Sequence, residues 1–339
     1  MTILVTGSAG FIGFHVAKRL LERGEAVAGL DNLNAYYDPA LKTARLAILQ
    51  THRAYAHARL DLADRDGVAA LFSEVKPSGV VHLAAQAGVR YSLEHPHAYA
   101  DSNLVGFLNV LEGCRATGPR HLVYASTSSV YGANGNLPFS VHDAATHPIT
   151  LYAATKLANE AMAHAYAHLF GMPCTGLRFF TVYGPWGRPD MSPIKFLSAI
   201  LEGRPIDVYG QGRMQRDFTY VDDIVDGVVA ALDQPAQPDP AWDPLRPEPA
   251  TSGVAPWRIY NLGAGRPVDL MRYIQVFEEK LGRKAILNLM PMQPGDVTNT
   301  EADIEATRAA LGYRPKTSIE EGVGRFVDWY LDFYGKKRG

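Results

Sequence analysis

Short apolar runs recur through the first half of the chain, at Thr2 to Thr6, Ala26 to Asp31, Ala54 to Leu60, Gly79 to Ala84, His121 to Ser126 and Cys174 to Phe179. Each is rich in Val, Ile, Leu or Ala and too short for a stable helix, so each reads as a strand. Between them, longer amphipathic segments at about 11–23, 64–75, 98–117 and 151–170 carry apolar residues at helical spacing. A strand and helix alternation of this kind predicts an α/β fold: a doubly wound, parallel, Rossmann-type sheet with helices on both faces. Ligands of such a sheet gather at the carboxyl ends of its strands.

After Val182 the alternation loosens into Gly184-Pro185-Trp186-Gly187-Arg188-Pro189, followed by a predicted helix at 193–203. The expected organisation is a Rossmann domain over 1–182, with returns at about 218–234 and 257–264. A smaller C-terminal α/β lobe is built from 183–217 and 265–339. The returns are a helix over Tyr220 to Leu232 and a strand at Arg258 to Leu262. Residues 235–256 and their flanking Gln234 carry seven prolines, too many for regular structure, and read as an exposed or partly disordered loop. No internal repeat is visible.

Composition narrows the partners. The 339 residues are 47% hydrophobic and 20% charged with net charge −2, so the chain buries a large core and offers no basic surface for nucleic acid. Lys336-Lys337-Arg338 reads as a solvated tail. Two cysteines, Cys114 and Cys174, lie in apolar stretches, which excludes a disulfide framework and a Cys-rich zinc site and fits a reducing, cytoplasmic setting. No apolar run is long enough to span a membrane, and Met1 to Val5 is unlike a signal peptide. His164 and His168 have ligand-like helical spacing but no Cys or carboxylate pattern beside them, so no metal is expected.

Gly7, Gly10 and Gly13, with Phe11 and Ile12, join the first strand to the first helix. Glycine there permits a tight turn and close backbone approach, and the helix N-terminus offers free N–H groups to a pyrophosphate. Asp31 ends the second strand, where a carboxylate bonds the adenosine ribose hydroxyls and repels a 2'-phosphate, favouring NAD over NADP. Asp61 and Leu62 are expected at the adenine edge, and Leu83, Ala84 and Ala85 where backbone must approach the cofactor. Asn32, Gln86, Asn103, Ser126 and Phe179 complete the expected lining.

Ser126-Thr127-Ser128-Ser129 follows the fifth strand, and Tyr152 and Lys156 stand one helical turn apart further on. A phenol beside an ammonium is expected to have its pKa pulled down toward working pH, making Tyr152 a general base. With the glycine loop, Thr127, Tyr152 and Lys156 make the chain resemble the extended short-chain dehydrogenase/reductase superfamily along nearly its whole length. The resemblance implies that these three are the catalytic set and that Lys156 also bonds the nicotinamide ribose. In the sugar-nucleotide epimerase branch it further implies that NAD stays bound through turnover.

Within the superfamily, four segments look like those of UDP-glucuronate 4-epimerases: Asp31 to Asp38, Ala84 to Tyr91, Tyr183 to Met191 and Gly212 to Tyr220. Related dehydratases and decarboxylases carry an acidic residue just after the catalytic hydroxyl, where this chain has Ser128 and Ser129. A carboxylate there would repel a uronate. The resemblance puts Arg216 on the substrate diphosphate and Asp296 near the nucleotide's ribose or uracil. Arg188 and Thr181 are the candidates for the sugar carboxylate, helped by Ser128, Ser129 and Arg90, and Val208 is expected to touch substrate. The expected reaction is C4 epimerisation of UDP-glucuronate to UDP-galacturonate by a homodimer that pairs the helices at 98–117 and 151–170. The rival expectations are a UDP-glucose or UDP-N-acetylhexosamine 4-epimerase and a non-catalytic NAD-binding regulator.

Overall fold

A computed structural model describes residues 1–293 and 295–337; the Arg338 end of the expected solvated tail lies outside them. The first half runs β1 (Thr2–Thr6), α1 (Phe11–Glu22), β2 (Ala26–Asp31), α2 (Pro39–Gln50), β3 (Tyr55–Arg59), α3 (Arg65–Val75) and β4 (Gly79–His82). Two single turns, α4 (Tyr91–Glu94) and α5 (Pro96–Tyr99), then lead through a π-helical stretch, Ala100–Val105, into α6 (Gly106–Thr117). β5 (Leu122–Thr127), α7 (Leu151–Phe170) and β6 (Cys174–Phe179) follow.

The second half contains β7 (Thr181–Tyr183), α8 (Ser192–Glu202), β8 (Pro205–Val208), β9 (Gln215–Arg216), β10 (Phe218–Tyr220) and α9 (Val221–Asp233). It ends with β11 (Trp257–Leu262), β12 (Val268–Asp269), α10 (Leu270–Leu281), β13 (Ile286–Leu289), α11 (Glu305–Leu311) and α12 (Ile319–Phe333).

Seven strands form one parallel sheet in the order β11-β6-β5-β4-β1-β2-β3, the doubly wound sheet that the alternation predicts. The chain steps outward from β1 to β3, then crosses back to β4 on the other side of β1. The carboxyl ends of β1 and β4 thus flank the reversal point where such sheets bind ligands. The central strands are nearly devoid of solvent contact: Leu4, Val5, Val80, Val81, Leu122 and Val123 are all fully buried. Fully burying one such side chain stabilises the fold by about 1.5–3 kcal/mol.

Three elements depart from the sequence pattern. Helix α2 is absent from the expected list, yet Asp38 caps it by accepting from Ala40 N at 2.9 Å, Pro39 starts it, and Leu41, Leu46 and Leu49 form its buried stripe. The helix expected at 98–117 is not uniform, because its first turns widen into the π-helical stretch. The proline-rich segment is irregular but held: Ala250 and Ala255 are buried, and Ile259 N donates to Ala250 O at 2.9 Å.

The small two-stranded pairings β7/β10, β8/β13 and β9/β12, with α8, α10 and α12, cover the carboxyl edge of the sheet. Their aromatic centre stacks Phe218 on Tyr273 at 3.9 Å between ring centroids. This cluster runs without a break into Phe14, Leu20 and Val225 on the sheet side. The lobe is therefore fixed against the sheet by shared core, and the space left between them is the cleft. Cys114 and Cys174 are buried and unpaired. His164 shares its ring nitrogen with Ser252 Oγ at 3.2 Å and packs edge-on to Trp257. Among the described residues no helix is long and apolar enough to cross a membrane.

Candidate active site

A cleft of about 1370 Å³ follows the carboxyl edge of the sheet beneath the lobe. Its floor is the glycine loop. Gly7 has φ +72°, and a Cβ there would lie 2.8 Å from Ala84 N; a Cβ on Gly13 would lie 2.0 Å from Gly7 O. Only glycine lets the β1 turn, the β4 end and the first turn of α1 come this close. Helix α1 starts at Gly10 with no side-chain cap, so its leading N–H groups are free for an anion. These features fit a dinucleotide whose pyrophosphate rests on the α1 N-terminus.

Gly7, Gly10, Phe11, Ile12, Gly13, Asp31, Asn32, Asp61, Leu62, Leu83, Ala84, Ala85, Gln86, Ser126 and Phe179 all line this cleft. Asp31 accepts from Ala9 N at 3.2 Å and Leu33 N at 2.8 Å, which fixes its carboxylate at the mouth of the glycine loop. Asn32 donates to Asp61 at 2.8 Å. Asn103 departs from expectation: its amide exchanges two hydrogen bonds with the Gln86 backbone, at 2.8 and 3.0 Å, and is buried. It braces the β4 loop from behind rather than facing the cleft. Ser126 reaches the cleft wall, but its hydroxyl donates to Glu160 at 2.5 Å.

Thr150 caps α7 by accepting from Ala153 N at 3.2 Å, and this sets Tyr152 in the first turn facing the cleft. The buried stripe Ala153, Lys156, Glu160, Ala163 and Ala167 follows at steps of three and four. Lys156 is 1% exposed, and burial lowers its pKa to about 8 although nearby Glu160 pulls the other way. Arg178 clamps Glu160 with bonds of 3.0 and 2.8 Å. Ser126 and Arg178 meet there because they are register partners on β5 and β6.

The expected low phenol pKa is not found in the chain alone. Burial raises Tyr152, while the Thr127 hydroxyl and the charge of Arg188 act in the opposite direction. Without a bound cation the phenol keeps its proton, and the titrating member of the pair is Lys156. Lys156 is then charged below about pH 8 when folded and below 10.5 when unfolded. Between those values Lys156 is protonated in the unfolded chain and neutral in the folded one, so its own contribution to the stability of nucleotide-free protein rises with pH. Urea unfolding at pH 7.5 and 9.5 should show wild-type stability rising by about 2 kcal/mol relative to that of Lys156→Met between the two values; equal pH dependence of the two proteins contradicts this.

At the far side of the cleft, Arg188 grips Asp190 with Nε at 3.0 Å and Nη2 at 2.5 Å, and Tyr36 donates to the same carboxylate at 3.0 Å. Thr127, Ser128, Ser129, Tyr152 and Thr181 line the same space. Arg90 lines the cleft, where it pairs with Asp296 at 3.1 Å and lies over the Tyr209 ring. Arg216 donates to Val297 O at 2.5 Å and Thr298 O at 2.7 Å. Among the described residues no carboxylate is hydrogen-bonded to it, and it lines the cleft. Val208 is also a correction: it is fully buried in the lobe core, while Asp207 and Tyr209 beside it line the cleft.

Several site residues escape sequence reading. Tyr36, Tyr37, Lys42 and Asp190 line the cleft, and fully buried Arg45 ties Ala9 O of the glycine loop to Trp186 O and Gly187 O, at 2.9, 2.5 and 3.2 Å. One cation thus links the cofactor floor to the segment that carries Arg188. Recognition of α2 would have offered a signal, since Lys42 and Arg45 lie on its buried face.

Comparison with known proteins gives the same picture. A model of the NAD dependent epimerase/dehydratase family matches residues 3–243. A probable UDP-glucuronate 4-epimerase of Rhizobium meliloti (strain 1021) is 52% identical over 334 residues, 98% of each chain. UDP-glucuronate 4-epimerase 1 of Arabidopsis thaliana is 47% identical over 340 residues, spanning 99% of this chain and 78% of that protein. The crystal structure of UDP-glucuronic acid 4-epimerase from Bacillus cereus in complex with UDP-glucuronic acid and NAD superposes with a TM-score of 0.87 at 32% identity, covering 98% of this chain and 100% of that one.

Proposed function

The chain belongs to the NAD dependent epimerase/dehydratase family, and from that premise we propose that it interconverts UDP-glucuronate and UDP-galacturonate at C4. The observation that carries this reading is the placement of Arg188 in one cleft with Thr127, Tyr152 and Lys156, beside the uncharged Ser128 and Ser129. That arrangement suits a sugar that brings a carboxylate to a phenol. The 52% identity to the Rhizobium meliloti protein along 98% of both chains supports it.

Gly7, Gly10, Gly13, Asp31 and Lys156 would hold NAD, which when bound accepts the C4 hydride and later returns it. Tyr152 as phenolate removes the C4 hydroxyl proton and afterwards gives it back, with Thr127 bonding the same oxygen. The nicotinamide charge and Lys156 would offset the burial that otherwise keeps the phenol protonated. Arg216 anchors the diphosphate, and the 4-keto sugar turns about that tether to offer its other face.

A 4-keto uronate is a β-keto acid, which loses carbon dioxide when its C5–C6 bond aligns with the carbonyl π system. Arg188, with Thr181, Ser128 and Ser129, holds the carboxylate out of that alignment. Arg188→Ala is therefore expected to raise the UDP-pentose by-product at least fivefold relative to epimer. Slower turnover at an unchanged product ratio would contradict this role.

The homodimer remains part of the proposal, supported by Val105, Leu108 and Leu151, which are about two-fifths exposed at the start of the α6 and α7 helices. Light scattering on purified protein tests it. Incubation with UDP-glucuronate and, separately, UDP-glucose, followed by NMR, tests the activity: UDP-galacturonate should form rapidly and UDP-galactose slowly or not at all. Equal rates on both would remove the uronate assignment.

A further inference from the structure

Arg188 is the cation that the proposed reaction sets on the sugar carboxylate, yet in the structure it already holds a carboxylate of its own chain. Asp190 takes Nε through Oδ1 and Nη2 through Oδ2, one complete edge of the guanidinium fork. Among the described residues no hydrogen bond is made by Nη1, and Arg188 lines the cleft. The pair is largely sheltered, with the two side chains 20% and 28% exposed. Asp190 is itself held from the other side by the Tyr36 hydroxyl at 3.0 Å, and the Tyr36 ring lies beneath the Arg188 guanidinium at 5.6 Å. Burial pushes the Tyr36 phenol up to about 12, so it stays a donor at working pH. Gly88 completes the arrangement: a Cβ there would lie 2.6 Å from the Tyr36 hydroxyl.

We propose that Asp190, locked by Tyr36, is a positioning residue that fixes the plane of Arg188 and leaves its Nη1 edge for the substrate carboxylate. The inference rests on the uronate reading above. An arginine held only by its flexible stem has several rotamers and meets a carboxylate from several directions. One gripped along Nε and Nη2 has one plane and a single free edge, which gives direction to the hold on the carboxylate. The arrangement has a second consequence. Asp190 cancels the charge of Arg188, so a uronate meets directed N–H donors with little net charge behind them. The site thereby gives up affinity for orientation, which suits a sugar that must leave this hold, turn over and be held again on its other face.

The test is a double-mutant cycle on Asp190→Asn and Arg188→Ala, with UDP-glucuronate turnover and the epimer to UDP-pentose ratio read together by NMR. Asp190→Asn is expected to lower kcat about tenfold and raise the UDP-pentose fraction at least threefold, with a KM that is unchanged or lower because a carboxylate has been removed. In the Arg188→Ala background the same change should have less than a twofold effect on that fraction. A wild-type product ratio in Asp190→Asn, or an equal effect in both backgrounds, overturns the proposal, since a purely structural role would reduce activity in either. Tyr36→Phe, which removes one hydroxyl, is expected to raise the UDP-pentose fraction about twofold. It decides the matter if Asp190→Asn does not fold, and an unchanged ratio there counts against the proposal. Absence of any UDP-galacturonate from wild-type protein would instead defeat the uronate reading itself.

Discussion

Replacing Tyr152 by phenylalanine is expected to lower epimerisation about 10³-fold while leaving nucleotide bound, the magnitude that belongs to loss of a positioned proton-transfer group. The ring would keep its place, because Tyr152 is seated edge-on to Tyr99 with centroids 6.1 Å apart and starts a helix whose cap is Thr150. The hydroxyl alone is lost. Lys156 lines the cleft as a cation below about pH 8 and Thr127 carries an alcohol that stays protonated, so neither replaces it as a base. Turnover of UDP-glucuronate by NMR and the nucleotide released on denaturation check the two halves. Near-normal turnover removes Tyr152 from the mechanism, and loss of nucleotide shows that the phenol's role lies in binding.

The largest effect on stability is expected at Glu160. Its carboxylate and the Arg178 guanidinium are 5% and 3% exposed, and Ser126 adds a third bond to the same carboxylate. Glu160→Gln leaves Arg178 as an uncompensated buried cation and takes from Lys156 the carboxylate that favours its charge, a loss of about 3–5 kcal/mol. Replacing both partners by apolar residues, Glu160→Leu with Arg178→Met, should recover most of that loss, since it removes the stranded charge. Urea unfolding of the three proteins at one pH reads the series. A cost below about 1 kcal/mol for Glu160→Gln would mean that water reaches the pair and that Lys156 has a weaker counter-charge than the geometry implies.

How far the chain could be read from its sequence depends on how local the cause is. The glycine loop, Asp31 and the Tyr152 and Lys156 pair are set by spacing within one turn or at one strand end, and all of them line the cleft. Asp190 was not legible, because its meaning depends on Tyr36, which lies 154 positions away in sequence. Asn103 and Val208 have suitable identities at suitable positions, yet a π-helical stretch and the lobe core turn them away from the cleft. The expected low phenol pKa is not found for a different reason: a cation one turn away is visible in sequence, whereas the burial that raises Tyr152 comes from the whole covered cleft. Helix α2 lies outside the sequence expectation, because the Asn- and Tyr-rich stretch before it reads as a loop, although Asp38 and Pro39 form a normal helix start.

In the proposed reaction C4 is oxidised and then reduced with the same hydrogen while the sugar turns over. UDP-glucuronate carrying deuterium at both C4 and C5, incubated with the enzyme in ordinary water and followed by NMR and mass spectrometry, is the decisive substrate. The expected product is UDP-galacturonate that keeps its deuterium at C4, with no solvent hydrogen at C4 or C5. Loss of the label to solvent, or exchange at C5 in the epimerised product, would contradict it.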